Sequence, residues 1–259
     1  IAENITAVTT VKSTIDSTGT GKTYSITGGA DASLFDINSS TGALSFKSAP
    51  NYELPTDAGE VPNNVYDVTV SVSDGLAGGI DTQAIAVTVT NVNEAPVISG
   101  GDNASVSFAE NSTNSVTKVT STDVDAGATA TYSIVVGGDS DKFNIDSSTG
   151  ALSFKTAPNR EIPTDAGANN VYDVKVMVTD NGGLTDTQDI AVTVNNVYEL
   201  PVITSGSGDT AAVSFAENKI GVVTTVTSII DSTGTGVYSI SGGADASLFD
   251  INSSTGALS

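Results

Sequence analysis

The chain has 259 residues, 30 acidic against 9 basic side chains, a formal net charge of −21, and neither cysteine nor histidine. That charge repels nucleic-acid backbones and anionic lipid surfaces, and the two missing residue types exclude disulfides, thiolate and imidazole metal sites, and Ser/His/Asp or Cys/His triads. No apolar run reaches the roughly 18 residues that a membrane-spanning helix needs, and an apolar set of mostly Val, Ile and Ala with abundant Thr and Ser favours strands.

In chain order, IAENITAVTT lacks the basic and apolar regions of a signal peptide, so the chain reads as a window on a longer one. STGTGKT, Ser17 to Thr23, resembles a phosphate loop, but Asp16 stands where that motif requires glycine. Short runs at TYSI, LFDI and ALSF, and at VSFAE in the later modules, divided by Gly, Asn and Asp turns, predict short strands. GGADASLFD lies among them; Asp31 and Ser33 break the calcium nonapeptide pattern, which leaves a glycine turn before a strand. VYDVTVSVSD alternates strictly, with Tyr66, Val68, Val70 and Val72 on one face, and AIAVTVTNV places Ile85, Val87 and Val89 inward. The polar connector TNVNEAPVI follows, Thr90 to Ile98, closed by Pro96.

The same series then returns. The AEN tripeptides at Glu3, Glu110 and Glu217 are equally spaced, since 110 − 3 and 217 − 110 are both 107, and INSSTGALSF at Ile37 is matched by IDSSTGALSF at Ile145. The second alternating pair places Tyr172, Val174, Val176 and Val178, then Ile190, Val192 and Val194, on buried faces before a second connector, NNVYELPVI. A period this long is a whole domain, beyond the roughly 20 to 50 residues of solenoid units. Three modules are expected: 1–95, without its first strand; 96–200, complete; and 201–259, an N-terminal half. Modules one and three are nearly identical from STGTG to GALS while module two differs, which predicts alternation of two module types in a longer array. About seven strands per module describe an all-β, Greek-key β-sandwich.

Most carboxylates fall at strand ends and in loops, where burial does not compete: Glu3, Glu53, Asp74 and Glu94, then Glu110, Asp123, Asp125, Glu161, Asp180 and Glu199. As an ordered set they resemble the cadherin repeat, above all the cadherin-like repeats of large bacterial surface proteins. IAEN and FAEN match the Glu near the family's first strand, and DVDAG matches its DxD. NYE and NRE hold the DRE position, VSDG and VTDNGG the later Asp, and VNEAP the inter-domain DxNDNxP.

The resemblance implies a rod of tandem sandwiches with Ca2+ bound between successive modules. At the first junction it carries over to Glu3, Asn51, Glu53, Asn93, Glu94, Asp123, Asp125 and Asp180. At the second, weaker junction it gives Glu110, Asn159, Glu161, Glu199 and Asp231, with Tyr198 in place of the linker Asn and Ile229 in place of one DxD aspartate. Fewer ions and more bending are therefore expected there. The chemistry suits calcium, which takes six to eight oxygen ligands in irregular geometry.

The functional expectation is an extracellular, cell-surface or secreted calcium-binding structural or adhesive protein of bacterial kind, not an enzyme. Its partners would be calcium and other copies of itself or a cell-surface or glycan ligand. Two alternatives are a calcium-dependent polysaccharide-binding module, for which Tyr52, Arg160 and Tyr198 are the stacking candidates, and a polymer subunit assembled by strand complementation. The sequons at Asn4 and Asn111 carry glycan only in a glycosylating host.

Overall fold

The computed structural model describes residues 1–14, 21–59, 61–206, 210–231 and 234–259; most of the STGTGKT segment lies outside them. The chain divides into two compact units. One holds residues 1–96 together with 122–129 and 179–184, and the other holds 97–121, 130–178 and 185–259.

In the first unit, Val65–Ser73 is the centre of an antiparallel sheet, between Thr23–Gly28 and Ile80–Thr88. Its register places Tyr66 opposite Val87 and Val68 opposite Ile85, so the expected inward residues meet across the ladder. A second sheet, ordered Ala7–Thr10, Ala43–Phe46, Phe35–Ile37, supplies Leu44, Phe46 and Phe35 to the same core. Tyr66, Val68 and Val70 are buried, as period-two alternation requires when one face of a strand is covered. Phe35 and Phe46 pack with ring centres 4.3 Å apart, and Tyr66 meets Phe46 edge-on at 5.0 Å, so three of the unit's aromatics form one cluster.

The second unit repeats this plan, with one more strand in its larger sheet and further two-stranded ladders. Its larger sheet runs Thr131–Val135, Val171–Thr179, Thr185–Asn195, Asn103–Ala109, and the last pair is parallel, with Val192 opposite Val106 and Val194 opposite Phe108. The smaller sheet is Phe143–Ile145, Ala151–Phe154, Ser115–Lys118, and Val97–Ile98 with Ser121–Thr122 forms a separate two-stranded ladder. Val174, Val176, Val178, Ile190, Val192 and Val194 are all buried, each contributing about 2 kcal/mol of apolar transfer. In the first unit the parallel partner is reduced to one bridge, Ala2 to Thr90, and the Ile80–Thr88 strand is correspondingly exposed.

Residues 201–259 form short ladders, Val202–Ile203 with Ser228–Ile229 and Thr224–Thr225 with Ala257–Leu258. The strands expected at VSFAE and VYSI do not form here. This stretch contains no counterpart of the Val65–Thr88 hairpin, so the TYSI-type strand has nothing to pair with and Phe249 is 40% exposed where Phe35 is 2%.

The turn at GGADASLFD is a 3-10 turn, Ala32–Leu34, leading into Phe35–Ile37, and a matching turn stands at Ser140–Lys142. Asp31 and Asp139 in these turns are buried. Asp31 accepts backbone N–H bonds from Ala58 and Asp67 at 2.5 and 2.7 Å, and Asp139 from Ala166 and Asp173 at 2.7 and 2.9 Å. Each ties the long loop before the central strand to the strand itself, which places the acidic residues of that loop.

Candidate metal centre

In the first unit, Glu3 sits where the N-terminal segment bridges Thr90, its backbone N–H donating to the Thr90 carbonyl at 3.1 Å. Asn4 follows with φ of 61°, a left-handed conformation that Asn tolerates better than most residues. That turn directs the Asn4 N–H to the Pro50 carbonyl, at the head of the loop that carries Glu53. Glu3 is 1% exposed. Its carboxylate accepts the N–H of Tyr52 through Oε2 and that of Val92 through Oε1, both at 2.9 Å, and so joins the NYE loop to the connector.

Glu3, Glu53 and Glu94 each bring one carboxylate oxygen to within 4.8 Å of the others. Both oxygens of Glu53 and Oε2 of Glu94 are buried without a hydrogen-bond partner. Buried carboxylates left this way need a cation or a proton. Burial raises the Glu53 pKa above its ordinary value, opposed by its own backbone N–H and reinforced by the charges of Glu3 and Asp125. Burial likewise raises Glu94, with Glu3, Glu53 and Asp125 adding to it and a hydrogen bond from Asn4 opposing. The two ion pairs among the described residues, Lys142–Asp141 and Lys175–Asp189, involve none of these groups.

Of the other expected ligands of the first junction, Asp125 lies close enough for its charge to act on Glu53 and Glu94. Asp125 accepts the Glu94 N–H at 2.8 Å and the Asn91 side-chain amide at 2.6 Å. Asp180 accepts the Asn93 amide at 2.6 Å and the Leu184 N–H at 2.7 Å. Desolvation pushes Asp180 upward, but the Asn93 amide and the N–H groups of Leu184, Gly183 and Gly182 outweigh it and leave its pKa lowered. Asn51 and Asp123 make their bonds inside their own loops, Asn51 Oδ1 accepting from Leu54 N and Asp123 Oδ1 from Asp125 N.

The second unit repeats the arrangement. Glu110, 2% exposed, accepts the N–H of Arg160 at 2.6 Å and of Val197 at 2.8 Å. Glu110, Glu161 and Glu199 form the second group of three carboxylates within 4.8 Å. Asp231 accepts the Asn196 amide at 2.9 Å and the Glu199 N–H at 3.2 Å, and Asn159 caps its own loop through the Ile162 N–H. Tyr198, where the first connector has Asn93, is 75% exposed.

Several residues that sequence reasoning passed over belong here. Asn91 and Asn196 hold Asp125 and Asp231, and Asn4 and Asn111 donate side-chain amides to Glu94 and Glu199. Gly182 is another: a Cβ there would overlap the Asn93 side chain. Recurrence of Asn immediately after AE and at the head of each connector was the available signal.

Two clusters of three carboxylates, with asparagine amides bonded to them, form a hard oxygen-donor set. That set fits calcium, and at least as many oxygens as calcium requires lie on these loops.

Residues 104–195 match the family described as cadherin domain. The chain is 30% identical over 247 residues to human Protocadherin-23, covering 92% of this chain and 7% of that protein. It is 31% identical over 167 residues to mouse Protocadherin-15, covering 64% of this chain and 8% of the relative, and 32% identical over 133 residues to human Protocadherin Fat 4, covering 50% and 2%. The chain thus spans under a tenth of the length of each of these relatives. Among solved structures, mouse Cadherin-23 EC22-24 superposes with a TM-score of 0.58 at 21% identity, covering 100% of this chain and 82% of that one. Human CDH23 EC21-23 gives 0.57 at 21% identity, covering 98% and 87%. At that identity the structures speak for the fold alone; by sequence, residues 104–195 match a cadherin domain and the chain is similar to cadherin-family proteins over most of its length.

Proposed function

We propose that this chain is an extracellular structural or adhesive repeat protein whose two carboxylate clusters bind calcium at module junctions, stiffening a series of β-sandwiches. The observation that carries the reading is the pair of equivalent triads, Glu3–Glu53–Glu94 and Glu110–Glu161–Glu199, the first with three buried oxygens that no donor reaches. Glu3, Glu53, Glu94, Asp125 and Asp180 would hold ions at the first junction with the Asn51 and Asn93 amides and Asp123. Glu110, Glu161, Glu199, Asp231 and Asn159 would serve the second. Bound calcium would neutralise these carboxylates, and the residues themselves orient the connectors through the backbone bonds of Glu3 and Glu110.

The modules would be 1–95, 96–200 and 201–259. The second junction, with Tyr198 for Asn93 and Ile229 for Asp123, would take fewer ions and bend more. A bacterial cell surface is the setting suggested by the sequence resemblance, with adhesion through further copies or a surface ligand. Small-angle scattering in calcium and in chelator tests the reading: chelation should shorten or broaden the distribution of particle lengths, and identical profiles would overturn it. A second reading, calcium-dependent polysaccharide binding, rests on the exposed rings of Tyr52 and Tyr198, 38% and 75% exposed. Glycan-array binding in calcium that is lost in Tyr198→Ala would favour it.

A further inference from the structure

One asparagine in each unit links the start of the central strand to the loop that carries a triad glutamate. Asn64 and Asn170 both have φ of 63°, where glycine would sit with less strain. Their backbone N–H groups donate to buried aspartates, Asn64 to Asp57 Oδ1 and Asn170 to Asp165 Oδ1, both at 3.1 Å. The other oxygen of each aspartate takes the N–H of the preceding residue, Asn63 or Asn169, at 2.9 Å. From this anchored position the side-chain amides reach back across the loop. Asn64 Nδ2 donates to the Tyr52 carbonyl at 2.8 Å and Asn170 Nδ2 to the Arg160 carbonyl at 3.0 Å.

Those carbonyls belong to the peptide groups that enter Glu53 and Glu161. The N–H groups of the same two residues are held by Glu3 and Glu110. Residue 52, like residue 160, is therefore fixed on both polar atoms: on one side by the buried glutamate of the triad, on the other by the asparagine. In both units the remaining amide oxygen, Oδ1 of Asn64 and of Asn170, is buried with no partner. A buried polar atom left unsatisfied is unfavourable, and the same one recurs at the equivalent place in each unit. Glycine would keep the backbone and remove that defect, so the amide's bond to residue 52 or 160 is what the position retains.

We propose that Asn64 and Asn170 are positioning residues for calcium: through the Tyr52 and Arg160 peptides they aim the Glu53 and Glu161 carboxylates into their triads. This rests on the reading that the triads hold calcium. The test is a calcium isotherm on the full chain for wild type, N64G and N38G, each also melted in chelator. Asn38 supplies a similar loop bond, its Oδ1 accepting the N–H of Ser40 and Thr41, but it touches no triad residue or its peptide. N64G should weaken one class of ions about ten- to hundred-fold, the loss typical when an outer support of a ligand is removed. N38G should leave affinity unchanged whatever it does to melting.

An N64G isotherm within about twofold of wild type, a change too small to reflect a lost outer support, overturns the proposal even if its melting temperature falls. A wild-type chain that takes up no calcium overturns the underlying reading and this inference with it. Should N64G fail to fold, the side-chain amide resonances of Asn64 and Asn170 in the wild-type chain decide. They should shift on calcium addition while that of Asn38 stays, and equal indifference of all three refutes the positioning role.

Discussion

Replacing Glu53 with Gln should have opposite consequences with and without calcium. Three carboxylates lie within 4.8 Å of one another, and at that spacing each like-charged pair repels by about 3 kcal/mol in an effective dielectric near 20. Solvent reaches part of this group, which reduces the relief from neutralising Glu53 to about 1 kcal/mol. The new amide can also donate to a neighbouring carboxylate. In chelator, E53Q should therefore melt roughly 4–8 °C higher than wild type, the shift that 1 kcal/mol produces in a domain of this size.

In calcium the balance reverses. An ion at 100 times its dissociation constant adds about 2.7 kcal/mol; a tenfold weaker site retains about half of that. The calcium-induced rise in melting temperature should fall by half or more in E53Q. Differential scanning calorimetry in the two conditions reads both numbers. A variant that is less stable than wild type in chelator, or that keeps the full calcium-induced rise, would refute the electrostatic reasoning.

Glu110→Ala should behave differently from E53Q, because Glu110 is a buried acceptor for two backbone N–H groups. Each orphaned donor is unfavourable by about 1–3 kcal/mol, so E110A should melt lower even in chelator. Gly182→Ala should displace the Asn93 amide from Asp180 and weaken calcium binding at the first junction, read by titration, while the melting of the second module in chelator stays unchanged. The pH dependence follows from Glu53 and Glu94, whose folded pKa values lie above 4.5. The ion-free fold then binds more protons than the unfolded chain from pH 4.5 upward, so this contribution to stability is lost as pH rises through the raised values. Calcium competes for the same oxygens, so its affinity should rise over that window with proton release, measurable by calorimetry in buffers of different ionisation enthalpy. Asp180 has the opposite sign: its lowered pKa gives stability that is lost as pH falls through a value below 3.8. Chelated protein whose stability climbs steadily from pH 4.5 to neutrality would contradict the assignment.

The long central strands were legible because one-sided burial imposes alternation. Val174, Val176 and Val178 lie in the core as their spacing required, and the acidic positions that recur at the domain period include both triads. What the sequence concealed falls into two kinds. The strands of residues 201–259 carry the right local pattern but lack the hairpin that would cover them, and a strand of that length is not stable without a partner. The asparagines were hidden because an amide adds no charge and Asn is frequent in turns for purely local reasons. Asn64 becomes distinguishable from an ordinary turn residue only when its bond to Tyr52 is seen, and the recurrence of Asn4 and Asn91 gains its meaning from their bonds to Glu94 and Asp125. Asp31 was read only as a break in a nonapeptide, yet it is a buried acceptor for two backbone N–H groups, a role that depends on loops about 30 residues away and leaves no local trace.

The central claim is that the two triads are calcium sites, and direct titration of the chelated, full chain with calcium by isothermal calorimetry tests it most closely. Saturable uptake of at least two ions, with the strongest class lost when Glu3 and Glu53 are both replaced by Gln, is the predicted result. A chain that shows no saturable heat and no calcium-dependent change in melting temperature would contradict it.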